Sequence, residues 1–125
     1  MIRSNKYYIF NGLRAINQVD DQKVRQIARS ILKQGWQGMP ILKWGDELIT
    51  GSHRITALAL LERLGYEDYV SEILNNGEVF YDVSDIMEEY LEKNEMEFVD
   101  IAYDNLREYF AGTEVEKWKD ELLEW

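Results

Sequence analysis

Four consecutive residues, Gly51-Ser52-His53-Arg54, carry the residue types best suited to holding an anion. They stand between a strand-like run, Pro40 to Thr50, and an apolar run, Ile55 to Leu61, that reads as a buried helix. A glycine turn that opens a helix leaves free backbone N–H groups at the positive end of the helix dipole. The Arg54 guanidinium and the His53 imidazole add donors suited to phosphate. The expectation is a phosphate or nucleotide site at Gly51, Ser52, His53 and Arg54. Each residue also has a plainer reading. Arg54 could pair with an acid such as Glu47, and His53 could pack under the hairpin as a neutral imidazole. Ser52 reads as an N-cap before it reads as a nucleophile. Trp36 and Trp44 read as core or lids before they read as platforms for a base. Asp20, Asp21, Asp46 and Glu47 read as caps, turn residues or surface charges rather than as magnesium ligands or bases. No metal site is expected.

The elements that must position the turn follow from periodicity. Tyr7 to Phe10 reads as a short strand ending at Asn11-Gly12. Val24, Ile27, Ala28, Ile31 and Leu32 form one apolar helical stripe, capped by Asp20 or Asp21 and ended by Gly35. Gln34 to Pro40 is a loop with two glycines. Ile41 to Trp44 and Glu47 to Thr50 pair around Gly45-Asp46. The helix after Arg54 runs to Leu64, with Gly65 as its stop. Tyr69 to Leu74 fits either strand or helix, and strand is the preferred reading, followed by a turn at Asn75-Asn76-Gly77. The rest reads as helix. Val83, Ile86, Met87, Tyr90 and Leu91 form one stripe, with Asp82 or Ser84 as cap. Phe98, Ile101, Ala102, Leu106, Tyr109 and Phe110 form a second, ending at Gly112. Thr113 to Glu116 reads as a capping box opening a last helix, with Val115, Trp118 and Leu122 inward.

Composition sets the outer bounds. The 125 residues suffice for one domain with a core, at 46% hydrophobic and 30% charged. There are no cysteines, which removes disulfides, thiolate nucleophiles and cysteine zinc sites, and His53 is the lone histidine. Met1 to Lys6 lacks the apolar core of a secretory signal, and no apolar run is long enough for a bilayer. The expected setting is cytoplasmic, with no membrane. The net charge of −10 is uneven. Residues 1–61 hold nine Lys/Arg against four Asp/Glu, a balance of +5, whereas residues 62–125 hold five against twenty, a balance of −15. The acidic half disfavours direct DNA binding by this chain alone. It either solvates exposed helix faces or meets a basic protein partner.

The order of elements resembles a known family. Val24 to Leu32, Gly35, Pro40-Ile41, Glu47-Leu48-Ile49-Thr50-Gly51, His53-Arg54 and Ala57 are similar to the N-terminal domain of ParB proteins, and equally to sulfiredoxins, over about residues 5–75. The stretch after Val83 matches neither. The resemblance implies an α+β fold with a small mixed sheet, in a single domain over 1–125, with an acidic helical extension from about 82 to 125. It implies a nucleotide site, because ParB-like domains hold the CTP triphosphate on a Gly-x-x-Arg turn and line the nucleotide with the Pro-Ile loop. Gly51, Ser52, His53 and Arg54 would then bind phosphates, and Gly38, Met39 and Pro40 would border the nucleotide. The ligand implied is ATP or CTP, with or without Mg2+. The activity implied is a nucleotide switch, a hydrolase or a phosphotransferase. Sulfiredoxins carry Gly-Cys-His-Arg and use ATP. Ser52 stands at that cysteine position and supplies no thiolate, and serine is a poor nucleophile without an adjacent base. A small domain of this type suits a phage or mobile-element protein. The rival expectation is a non-enzymatic acidic interaction or inhibitor protein that binds a basic protein surface. A nuclease ranks last, for want of a carboxylate cluster near the turn.

Overall fold

In the computed structural model of the chain, the residues described are 9–10, 12–14, 19–76, 79–102 and 105–118. Of the sequence expectations, Tyr7, Tyr8, Asn11, Gly77 and Leu122 lie outside them. Within them the fold is α+β, with five α-helices and a small three-stranded mixed sheet.

A short antiparallel pair comes first, β1 (Ile9–Phe10) and β2 (Leu13–Arg14). Helix α1 (Asp21–Gln34) follows. The Asp20 carboxylate caps it by accepting the backbone N–H groups of Gln22 at 2.8 Å and Lys23 at 3.2 Å. Gly35 ends it at φ 75°, where its N–H donates to the Ile31 carbonyl. Val24, Ala28 and Ile31 form the buried stripe.

The hairpin is β3 (Ile41–Trp44) and β4 (Glu47–Thr50), turning through Gly45-Asp46. It leads through Gly51 into α2 (Ser52–Arg63). This helix is buried on nearly every side, from Ile55 to Leu61, and Gly65 at φ 95° stops it. The Thr56 hydroxyl donates to the Ser52 carbonyl at 2.8 Å, which satisfies a polar group at the centre of the core. Helix α3 (Glu67–Asn76) comes next, and its Tyr69 hydroxyl donates to the Ile31 carbonyl at 2.7 Å, closing the last turn of α1.

Residues 69–76 are therefore helix, not the expected strand and turn. Val70, Ile73 and Leu74 sit at i, i+3 and i+4, and Glu67 and Asp68 favour a helix start. The strand slot is taken instead by β5 (Phe80–Asp82), parallel to β3, a strand the sequence reading assigned to helix. The sheet order is β4-β3-β5. The expected cap at Asp82 or Ser84 is corrected: Val83 is the N-cap of α4 (Ser84–Lys93) and makes no side-chain cap bond, while the Asp82 carboxylate accepts the Ser84 backbone N–H at 2.9 Å just ahead of the helix. The Ser84 hydroxyl, opposed by burial and helped by the Ser84 and Gly45 N–H groups and the nearby Lys43 ammonium, holds that carboxyl below its ordinary 3.8.

The second stripe is not one helix. It divides into a 3-10 turn, Phe98–Asp100, an extended Ile101, and α5 (Leu106–Tyr109). The last segment, Glu114–Trp118, is 3-10. The expected capping box is not the pairing seen: the Thr113 hydroxyl accepts the Val115 N–H at 3.2 Å, the Glu116 carboxylate accepts from Gly112 at 2.9 Å, and the Glu116 N–H donates to the Thr113 carbonyl.

Alternation along β3 and β4 sends apolar side chains to both faces of the sheet. Ile41 and Leu48 join a core with α1, α2 and α3. Leu42 and Ile49 join a second core with Met39, Val83, Met87, Leu106, Phe110 and Val115. The acidic half thus contributes a strand to the sheet and covers its second face.

Candidate functional site

Gly51 is the N-cap of α2, at φ 106°. Ser52 is the first helical residue, so the expectation that Ser52 caps the helix is corrected. The reason is the left-handed backbone at position 51, which a side chain rarely adopts. Gly51 meets a second constraint on the same atom. A Cβ there would lie 3.0 Å from Cγ1 of Ile41 and 3.2 Å from its Cγ2. The absent side chain faces the core, so this glycine serves the crossing of β4 into α2 over β3.

Ser52 is 3% exposed and Arg54 4% exposed. The Arg54 guanidinium turns inward, donates from Nη1 to the Met39 carbonyl, and lies 4.8 Å from the centre of the Trp36 ring. It is the charged side chain buried among the described residues. A planar cation over an indole face is favourable, more so out of water. Glu47, the acid considered as its partner, is exposed on β4. His53 is half-buried, and its Nε2 accepts the backbone N–H of Asp20 at 3.0 Å. The residue that caps α1 is thereby tied to the first turn of α2.

A cavity of about 380 Å³ opens beside this arrangement. One wall is α1, with Lys23, Gln26 and Ser30 spaced at i, i+3 and i+7 beside the apolar Ile27 and Ile31. The other wall is the 35–38 loop and Arg54, with Trp36 between them. Two cations line the cavity, Lys23 and Arg54, and no carboxylate does among the described residues. Of the residues expected at the site, Gly38 and Arg54 border this cavity. The Met39 carbonyl holds Arg54, while its side chain lies in the second core at 1% exposure. Pro40, Gly51 and Ser52 are buried, and His53 faces Asp20. Gly38 is exposed at φ 84°, which shapes the loop rim.

Lys23, Gln26, Ser30 and Gln37 escaped the sequence reading. Their signal was present in α1. Polar residues follow one edge of its apolar stripe, which is also what an ordinary solvated helix face looks like. Trp44, the other indole considered for stacking, rests on Phe98 with ring centres 5.0 Å apart and takes no part in this cavity.

Among the described residues no three His, Asp or Glu side chains gather as metal ligands. No helix among them is long and apolar enough to cross a membrane. Chemically, the cavity sets two cationic side chains, Lys23 and Arg54, beside an apolar floor of Ile27 and Ile31. No protein-family model, curated protein or solved structure matches the chain.

Proposed function

We propose that this chain is a ParB/sulfiredoxin-like domain whose cavity between α1, the 35–38 loop and Arg54 binds a nucleoside triphosphate, ATP or CTP, with Arg54 as the member of the Gly51–Arg54 turn that reaches it. The observation that carries this reading is the inward-turned Arg54, a buried guanidinium on the wall of a cavity of about 380 Å³. That volume falls within the usual range for small-molecule pockets. Ile27, Ile31 and Trp36 offer an apolar surface to a base, while Lys23 and Arg54 offer charge to phosphates. Gln26, Ser30 and Gln37 are suited to ribose or base edges. The reading is of binding first, as a switch, with phosphotransfer or hydrolysis as its extension when Mg2+ accompanies the nucleotide. The cysteine-free composition fits a cytoplasmic setting.

Calorimetric titration with ATP, CTP and GTP, with and without Mg2+, tests it. One nucleotide is expected to bind saturably. Ser30→Tyr, which fills the cavity from α1, is expected to abolish binding while leaving the fold intact. Failure of all three nucleotides, or binding untouched by Ser30→Tyr, would sink the proposal.

A second reading is an acidic interaction module. It is favoured by Phe98 and Val99, which are 53% and 86% exposed on the 3-10 turn flanked by Glu95, Glu97 and Asp100.

A further inference from the structure

A second cavity, of about 520 Å³, lies wholly within the acidic half, between α4 and the segment from α5 to Glu114. Three tyrosines, Tyr81, Tyr90 and Tyr109, line it together with Glu89, Glu114 and Lys93. We propose that this cavity binds an organic cation, an ammonium or guanidinium group.

Phenol rings present negative faces that attract such cations, and nearby carboxylates add direct charge. The rings are held in place before any ligand arrives. The Tyr81 hydroxyl donates to Glu114 Oε2 at 2.9 Å, and the Tyr109 hydroxyl accepts the Ala102 N–H at 2.9 Å. The Tyr90 and Tyr109 rings meet edge to face with centres 4.8 Å apart, and Tyr81 meets Trp118 likewise at 5.9 Å. Fixed rings lower the ordering cost of binding. Partial burial and the Glu108 carboxylate raise the Tyr90 phenol above its usual 10.0, so it stays neutral.

The carboxylates keep capacity for a ligand. A carboxylate has about four lone-pair sites, and one phenol occupies only one of those on Glu114. Glu89 pairs with Lys93 at 3.8 Å, both side chains about three-quarters exposed at 75% and 76%. An exposed pair of this kind is weak and yields to a better-placed cation. The surrounding half, at a balance of −15, concentrates cations of any origin near the mouth.

The same group could come from a free polyamine or from a lysine or arginine of a basic protein segment. Calorimetric titration of the full chain with spermidine and with a hexa-arginine peptide, at low salt, separates the two. Glu89→Gln and Glu114→Gln keep shape and hydrogen bonding while removing charge. Each is expected to weaken binding about tenfold or more. Glu67→Gln, on α3 and outside the cavity, is expected to change it less than twofold, a surface substitution of the ordinary kind. Binding of spermidine alone assigns a free amine, and binding of the peptide, with or without spermidine, assigns a protein side chain. If neither probe binds, or if Glu67→Gln weakens binding as much as the cavity variants, the proposal is overturned in favour of diffuse charge attraction.

Discussion

The Nε2 atom of His53 accepts the backbone N–H of Asp20 at 3.0 Å, joining the start of α2 to the cap of α1. An accepting ring nitrogen carries no proton, so this bond requires the neutral tautomer protonated on Nδ1. His53→Ala removes the acceptor and is expected to cost about 1–2 kcal/mol in urea denaturation. Nitrogen NMR should find the Nδ1–H tautomer. A spectrum with the proton on Nε2 would refute the assignment.

Arg54 joins stability to binding. Its guanidinium holds the Met39 carbonyl and covers Trp36. Lysine has neither the planar fork nor the stacking face. Arg54→Lys is expected to cost about 1.5–3 kcal/mol of stability, the range for hydrogen bonds to charged groups, and to weaken nucleotide binding as well. Denaturant midpoints and calorimetry measure the two effects separately. An unchanged midpoint would mean that the bond to Met39 contributes nothing to folding.

Gly51 is constrained by both its backbone and its neighbour. Gly51→Ala adds a methyl at φ 106°, 3.0 Å from Ile41 Cγ1. A loss of about 1–3 kcal/mol is expected from strain and overpacking. Ile41→Ala removes both crowded γ carbons, so the double variant should lose less than the two single losses combined. Strict additivity in that cycle would locate the whole cost in the backbone.

Glu95 is the non-glycine residue at positive φ among those described, at 52°. It ends α4 in a Schellman arrangement, with the Met96 N–H donating to the Leu91 carbonyl at 2.9 Å. Left-handed backbone costs a side chain roughly 1–2 kcal/mol, and glycine avoids it. Glu95→Gly is expected to raise stability by up to about 1 kcal/mol, since glycine gives back some entropy to the unfolded chain. A fall in melting temperature would contradict this.

Asp82 sets an acid-side dependence. Its carboxylate accepts from Ser84 and, at 3.4 Å, from the Gly45 N–H, and its pKa is lowered from 3.8 when folded. A depressed folded value means stabilisation that is present above the unfolded value and lost as pH falls through the folded one. The difference in urea midpoint between the native chain and Asp82→Asn should therefore be largest at neutral pH and shrink below about pH 4. A difference that grows in acid would reverse the sign and disprove the role.

How much of this was legible in the sequence depended on how far each element's partners lie along the chain. Helix α1 declared itself through Asp20, one apolar stripe and Gly35, all signals that act within four residues. The hairpin declared itself through Gly45-Asp46, and α2 through its apolar run and Gly65. The position of the Gly51 turn between strand and helix followed from these alone.

Tertiary structure decided the rest. Phe80 to Asp82 is too short to signal a strand, and it becomes one because β3, about forty residues earlier, offers a parallel edge. Val70 to Leu74 suits either period, and α3 prevails where its Tyr69 can close the end of α1. The break between α4 and α5 carries no glycine, since Glu95 occupies the left-handed position where one would mark it. Arg54 announced a cation in the sequence but not its direction. That it turns inward to the Met39 carbonyl, beside a cavity walled by Lys23, Gln26 and Ser30, follows from the packing of α1 on α2. Local spacing says which face of a helix is polar, and only the fold says whether that face meets water or a cavity.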